Sequence, residues 1–221
     1  MADQKLFNGR PALIGTFPLD IDEMMFYLYL PIKMKGDVHW KIPPRLKVFK
    51  TLIIESIKDL IETKGHQHFQ DNYIYISAKN LFVTPDNVGG RPGYHIDGFM
   101  TDDLSYIWCD KAPTIFNSGD FILTLDHAQS MIEMELQTRK EKEYTMNNFD
   151  LLRIDNTVVH RTPDIAKPGM RCFFKLNVSK EKYNLKGNSH NYEFEYDWNL
   201  HDRSEVRNEP ATANLDAIIE R

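Results

Sequence analysis

From Pro44 to Lys64 apolar residues recur at helical spacing, at Phe49, Leu52, Ile53, Ile57, Leu60 and Ile61, and Gly65 follows as a natural stop. The pattern predicts one long amphipathic helix whose apolar stripe must be buried, most simply against a sheet. Before it, the run Met24-Met25-Phe26-Tyr27-Leu28-Tyr29-Leu30 follows Asp20, Asp22 and Glu23 and reads as a strand. After Gly65 the period shortens. Runs at Tyr73–Ser77, Leu81–Thr84, Leu104–Trp108, Phe121–Leu125, Leu151–Ile154, Thr157–Val159 and Arg171–Val178 have the texture of strands. Turn chemistry separates them at Pro85-Asp86-Asn87, Gly89-Gly90-Arg91-Pro92-Gly93, Ser118-Gly119 and Lys167-Pro168-Gly169. Many short strands behind a leading helix predict a mostly β fold with supporting helices, of sandwich or jelly-roll barrel type. Asp126 to about Lys142 interrupts the strands and reads as a helical or loop excursion, a candidate lid. Tyr192, Phe194, Tyr196 and Trp198 alternate as one face of a strand would. Beyond about Arg207 the polar composition predicts a loose tail with a short helix at Leu215–Arg221.

At 221 residues and 42% hydrophobic, the chain can bury a substantial core. One domain over 1–221 is expected: N-terminal support over about 1–65, a β core over about 73–180 and a C-terminal extension over about 181–221. A net charge of −5 argues against a general nucleic-acid binder. Lys33, Lys35, Lys41, Arg45, Lys47 and Lys50, with His39 and Trp40 between them, still leave one local basic stretch that nucleic acid would fit. The 2 cysteines, Cys109 and Cys172, form no C-x-x-C pair and match a reducing compartment. No apolar run approaches the ~20 residues of a membrane span, and a cytoplasmic location is expected.

The chemistry concentrates in His95-Ile-Asp97, His160 and Arg171. Two imidazoles and one carboxylate are the ligand set of a facial-triad ferrous site, which leaves positions open for a chelating co-substrate and dioxygen. Residues two apart on an extended strand point the same way, so His95 and Asp97 share a face. His160 ends the run Thr157-Val158-Val159 and would come from a neighbouring strand. Arg171 begins the next strand and offers a planar fork suited to a carboxylate. Among neighbouring candidates, Arg91 suits an acidic substrate group, Tyr94 and Tyr106 could donate hydroxyls to a carboxylate, and Asn117 could touch substrate. Arg161 has the opposite strand parity to His160. His66, His68 and His127 lack a carboxylate at helpful spacing.

In these residues the chain resembles the Fe(II)/2-oxoglutarate-dependent dioxygenases, whose motif is His-x-Asp…His with a downstream arginine or lysine. The likeness covers about Tyr73 to Ser179. It implies a double-stranded β-helix core (jelly-roll, cupin-like) with helices on one sheet. It also implies iron on His95, Asp97 and His160, the distal carboxylate of 2-oxoglutarate on Arg171, dioxygen as oxidant and ascorbate as a stimulant. Two residues past the arginine, where many members carry serine or threonine, this chain has Phe173, and Lys175 shares the parity of Arg171 and rivals it as the anchor. Pro92-Gly93-Tyr94-His95-Ile96-Asp97-Gly98-Phe99 resembles the His-x-Asp-Gly region of bacterial free-amino-acid hydroxylases. Related iron halogenases lack the carboxylate, so Asp97 favours oxygen transfer. The expected activity is hydroxylation of a C–H bond in a small polar metabolite such as a free amino acid, releasing succinate and carbon dioxide. The alternatives are the same chemistry on a nucleobase, nucleotide or nucleic acid, and a cupin-like binding barrel without redox chemistry. Desaturation, ring closure and the oligomeric state stay open.

Overall fold

A computed structural model describes residues 3–203, so the tail and short helix expected beyond Arg207 lie outside the described residues. The helical stretch begins as a 3-10 turn over Pro44–Phe49 and continues as α1 (Lys50–Lys64). Proline at the first helical position loses no hydrogen bond, because that N–H would be unpaired anyway. Gly65, at φ 87°, ends α1 in a backbone region that disfavours side chains, and α2 (His66–Asp71) follows directly. Leu46, Phe49, Leu52, Ile53 and Leu60 are fully buried along one face of this unit. Each such side chain contributes roughly 1.5–3 kcal/mol of burial.

That face packs on an antiparallel six-stranded sheet ordered β2 (Ala12–Thr16), β9 (Asp150–Asp155), β5 (Leu104–Cys109), β11 (Gly169–Ser179), β4 (Tyr73–Val83) and β3 (Met25–Lys33). Strand β11 explains how one sheet serves two layers. Cys172, Phe174, Leu176 and Val178 face the helices, where Phe174 stacks on Phe49 at 5.1 Å. Arg171, Phe173, Lys175 and Asn177 alternate with them and face the opposite way, into a cavity. Across that cavity lies a smaller sheet ordered β10 (His160–Arg161), β6 (Ile115–Asn117) and β8 (Glu143–Thr145), with His95 bridged to His160 at its edge. Ile107, Leu152 and Ile154 of the large sheet pack against Phe116 of the small one and Val158 of the turn leading into it, and join the layers.

A third layer covers the outer side of the small sheet. It consists of the β1 (Gln4–Phe7) and β7 (Phe121–Thr124) pair with α3 (His127–Gln137). Phe7, Phe121, Leu123 and Met134 pack there with Tyr94, Ile96 and Val159. The Asp126 side chain caps α3 by accepting from the Ala128 and Gln129 amides, so the expected excursion is a capped helix.

Several expectations change. The runs at Tyr73–Ser77 and Leu81–Thr84 are one strand, β4, unbroken over eleven residues. Thr157–Val159 is a turn held by Asp155, and strand pairing starts at His160. Strands β1 and β2, at four and five residues, are too short to stand out. Tyr192, Phe194, Tyr196 and Trp198 form no strand. Instead Tyr196 stacks on His190 at 4.4 Å, and Trp198 meets Tyr73 edge to face at 5.7 Å. This C-terminal segment is tied down by Ser189, which exchanges hydrogen bonds with the Leu28 backbone, and by Asn191, which donates to the Pro31 and Lys41 carbonyls. Cys109 and Cys172 are both free and buried. Among the described residues no helix is long and apolar enough to cross a membrane.

Candidate metal centre

His95 and His160 are cross-strand partners. Each backbone N–H donates to the other's carbonyl, at 2.9 and 3.0 Å, and the two rings lie 4.5 Å apart. Period-2 alternation turns Asp97 to the same side as His95, while Tyr94 and Ile96 point into the apolar layer under α3. Gly98 follows at φ 66°, where a side chain would meet the Asp103 Cβ at 2.6 Å, so the chain turns sharply after Asp97. One donor atom from each of His95, Asp97 and His160 lies within 4.8 Å of the others. Among the described residues this is the one group of three metal-binding side chains that converges so closely.

Both imidazoles are set for a metal. The His95 Nδ1 lies 3.0 Å from the Gly93 carbonyl and the His160 Nδ1 lies 3.0 Å from the Val158 carbonyl. A carbonyl only accepts, so Nδ1 carries a proton in both rings and Nε2 is the nitrogen turned toward the cavity. Burial, with repulsion from His160 behind it, pushes the His95 pKa down to about 3, so this ring is neutral at physiological pH. Burial acts to raise the Asp97 pKa, but the Lys175 ammonium and the two imidazoles outweigh it and hold the carboxyl well below its ordinary range. The Lys175 Nζ donates to Asp97 Oδ2 at 2.5 Å, and that oxygen is 3.5 Å from the His160 Nε2. Two imidazole nitrogens and one ionised carboxylate oxygen fit a divalent first-row metal, whose bonds to such ligands run about 2.0–2.2 Å.

The three side chains open on a cavity of about 590 Å³ between the two sheets, the size of a small-molecule site. Along its β11 wall stand Arg171, Phe173, Lys175 and Asn177. Arg171 is buried, with Nε donating to the Lys111 and Ala112 carbonyls at 3.2 and 3.0 Å and its guanidinium 5.3 Å from the centre of the Phe173 ring. Lys175, the rival anchor, is committed to Asp97. Asn177 donates to Ser105 Oγ at 2.7 Å, and its Oδ1 is the one buried side-chain nitrogen or oxygen among the described residues without a hydrogen-bond partner. The opposite rim is α3, whose His127, Ser130, Met131 and Met134 line the cavity at helical spacing, making the excursion a wall of the site.

The remaining candidates divide. Arg91 lines the cavity and contacts the Met131 sulfur at 3.2 Å. Tyr106 does not reach it. With Leu104 and Trp108 it faces the helices, and its hydroxyl donates to Asp59 at 2.8 Å. Tyr94 lies behind His95, its hydroxyl bonded to Glu143. Asn117 holds a turn, donating to the Arg139 carbonyl and accepting from the Gly119 amide, both at 3.0 Å. Strand parity excludes all of them from contact with the triad except Arg91. Arg161 lines the cavity but pairs with Glu143 and Asp164. The basic stretch is partly consumed internally. Lys33 is fully buried on three carbonyls with its pKa lowered to about 8 by burial, Lys41 donates to the Glu193 carbonyl beside the Phe194 ring, and Arg45 pairs with Glu23. Residues that sequence reasoning passed over also line the cavity: Tyr29, Lys79, Asp103, Tyr183 and Arg203. Only Lys79 carried a signal, as the one charged residue of its strand. Comparison with protein-family models and with curated proteins finds no match to this chain.

Proposed function

We propose that this chain is a 2-oxoglutarate-dependent oxygenase that binds ferrous iron on His95, Asp97 and His160 and oxidises a C–H bond of a small polar molecule. The observation that carries the reading is the convergence of two imidazoles, each held through Nδ1 by a backbone carbonyl, and one ionised carboxylate on a cavity whose far wall holds a buried arginine. The strand order β9-β5-β11-β4 facing His95-β10-β6-β8 supports a double-stranded β-helix of jelly-roll type. Iron bound there with 2-oxoglutarate and dioxygen would supply the oxidation, with succinate and carbon dioxide as co-products.

The chain's own residues do the rest. The Gly93 and Val158 carbonyls fix the tautomer and orientation of the ligating rings. Lys175 holds Asp97 ionised and in place, and by that commitment leaves Arg171 as the free anchor for the distal carboxylate of the co-substrate. Arg171 is bonded to neutral carbonyls and a thiol and feels the Asp110 carboxylate only beyond ion-pair distance, so a co-substrate carboxylate would be its first direct ion-pair partner. Phe173 replaces the usual hydroxyl with an apolar surface that excludes water beside that anchor. A second reading, a binding barrel without redox chemistry, draws on the same ion pair, because Lys175 can neutralise Asp97 with no metal present.

Succinate release measured with ferrous iron, ascorbate and 2-oxoglutarate, across amino-acid and nucleotide substrates, separates the two readings. The oxygenase reading expects iron-dependent succinate that Asp97→Ala abolishes. No turnover with any substrate, together with no binding of 2-oxoglutarate to the metal-loaded protein, sinks it in favour of the binding barrel.

A further inference from the structure

Basic side chains outnumber acidic ones on the cavity wall, although the whole chain carries a net charge of −5. The surplus can be located by asking which charge each group meets. Lys175 meets Asp97, and Arg161 meets Glu143 and Asp164. On the rim, Glu181 and Lys182 are adjacent residues of opposite charge. Lys79 is different. It stands on β4 directly opposite Phe173, with Ser77 opposite Lys175, so it is the diagonal neighbour of both Arg171 and Lys175 on the same sheet face. Its ammonium donates to the Gly89 carbonyl at 3.1 Å. Arg203 reaches the cavity from the C-terminal segment, donating from Nε to the Lys186 carbonyl at 3.0 Å and also to the Asn188 side-chain oxygen. A neutral oxygen satisfies a hydrogen bond without cancelling a charge.

These cations feel one another across the void. Burial first, and then repulsion from Lys175, Arg171 and Arg203, weakens the hold of Lys79 on its proton. Gathering like charges inside a low-dielectric cavity works against folding and concentrates a positive field on whatever enters. The co-substrate does not absorb the excess. A divalent metal and a dicarboxylate cancel, Asp97 cancels Lys175, and the Asp103 carboxylate is taken up by the Ser179 and Tyr183 hydroxyls. With Arg171 engaged as the co-substrate anchor and Arg91 against the Met131 sulfur, Lys79 and Arg203 add two further positive charges held by neutral oxygens.

Resting on the oxygenase reading, we propose that the cavity receives a second anion beside 2-oxoglutarate, and that the substrate carries a carboxylate or phosphate group held by Lys79 and Arg203. This narrows a small polar substrate to an acidic one. The α-carboxylate of a free amino acid and the phosphate of a nucleotide are its two natural sources.

The test uses the full chain loaded with manganese(II) and saturated with 2-oxoglutarate. Binding is followed by calorimetry for the free L-amino acids against their carboxamides and for nucleoside 5′-monophosphates against their nucleosides. At least one carboxylate- or phosphate-bearing member should bind at least about tenfold more tightly than the counterpart lacking that group, and rising salt should weaken it. Which arm binds tells carboxylate from phosphate. Lys79→Met or Arg203→Met should loosen that ligand by roughly tenfold to a hundredfold, as expected for removing one partner of a desolvated charge pair, and leave 2-oxoglutarate within about threefold. Arg203→Gln serves the same purpose should Lys79→Met fail to fold. The proposal is overturned if no panel member binds, if the counterparts lacking the carboxylate or phosphate bind equally well, or if the panel members bind only by competing with 2-oxoglutarate. Failure of 2-oxoglutarate itself to bind would instead remove the oxygenase reading, and it is read in the same titration before any panel member is added.

Discussion

Lys175→Met removes one half of a buried ion pair and leaves the Asp97 carboxylate facing two imidazoles with no cation. The pair is closely spaced, 2.5 Å, and both side chains are largely shielded, at 10% and 16% exposure. Removing one partner of such a pair costs about 3–5 kcal/mol. A second route gives the same scale. The variant can escape by protonating Asp97, and moving a group of ordinary pKa near 3.9 to its neutral form costs about 4 kcal/mol at pH 7 and about 1.5 kcal/mol at pH 5. In the parent the Asp97 pKa lies below its unfolded value, so its contribution is present above about pH 4 and lost as pH falls through the folded value. In the variant the largest of the influences that lower that pKa is gone, and burial, the largest single influence, opposes only the two imidazoles, so the pKa rises and stability is lost as pH rises. For a chain of this length each kcal/mol moves the melting temperature by about 2–4 °C, which places the metal-free variant roughly 8–16 °C below the parent at pH 7 and about 3–6 °C below it at pH 5. Manganese(II) at a hundredfold excess over its dissociation constant contributes about 2.7 kcal/mol, and should do so at lower concentration in the variant, where no ammonium competes for Asp97. Scanning calorimetry at both pH values, with and without metal, reads all of this. An equal deficit at pH 5 and pH 7, or a metal that stabilises the variant no better than the parent, would refute the pairing of Lys175 with a metal-binding Asp97.

Arg171→Met should weaken 2-oxoglutarate by roughly tenfold to a hundredfold. It should spare 2-oxobutyrate, which has the same chelating head and no distal carboxylate; if Lys175→Met produces that split instead, Lys175 is the anchor. Tyr106→Phe should cost about 1 kcal/mol through the lost bond to Asp59 and leave 2-oxoglutarate affinity unchanged, because the ring faces the helices; a calorimetric shift in co-substrate binding would contradict that placement. The Cys109 and Cys172 thiols, both buried, with the Cys172 pKa pushed up to about 12 by burial, should resist a thiol reagent until the protein is denatured, and prompt native labelling would show them accessible.

How far these features could be read in advance follows from the physics of each element. The helix announced itself because Leu52, Ile53, Ile57 and Leu60 obey a 3.6-residue period and Gly65 ends it. The inward face of β11 was equally legible, since Arg171, Phe173, Lys175 and Asn177 alternate with four apolar residues. Strand β5 is buried at every position, so alternation was silent about its faces and Tyr106 was placed on the wrong side. Tyr94 and Asn117 are a different case. Neighbours of ligands in sequence lie behind them in space, and the same period-2 rule that joined His95 to Asp97 separates Tyr94 from both. The aromatic alternation of 192–198 came from ring stacking within a loop, a spacing that mimics a strand. Pairing of His95 with His160 is a matter of register between distant segments, which no local pattern encodes. The cations at Lys79 and Arg203 meet only after the C-terminal segment folds back over the cavity.

The most direct measurement is an anaerobic titration of the purified chain with ferrous iron and 2-oxoglutarate, followed by visible absorbance. If His95, Asp97 and His160 hold iron open to a chelating co-substrate, a metal-to-ligand band should appear only when both are present, saturate at one iron per chain, and vanish in His160→Ala. A parent protein that develops no such band, or an unchanged band in His160→Ala, would contradict the assignment of the metal centre.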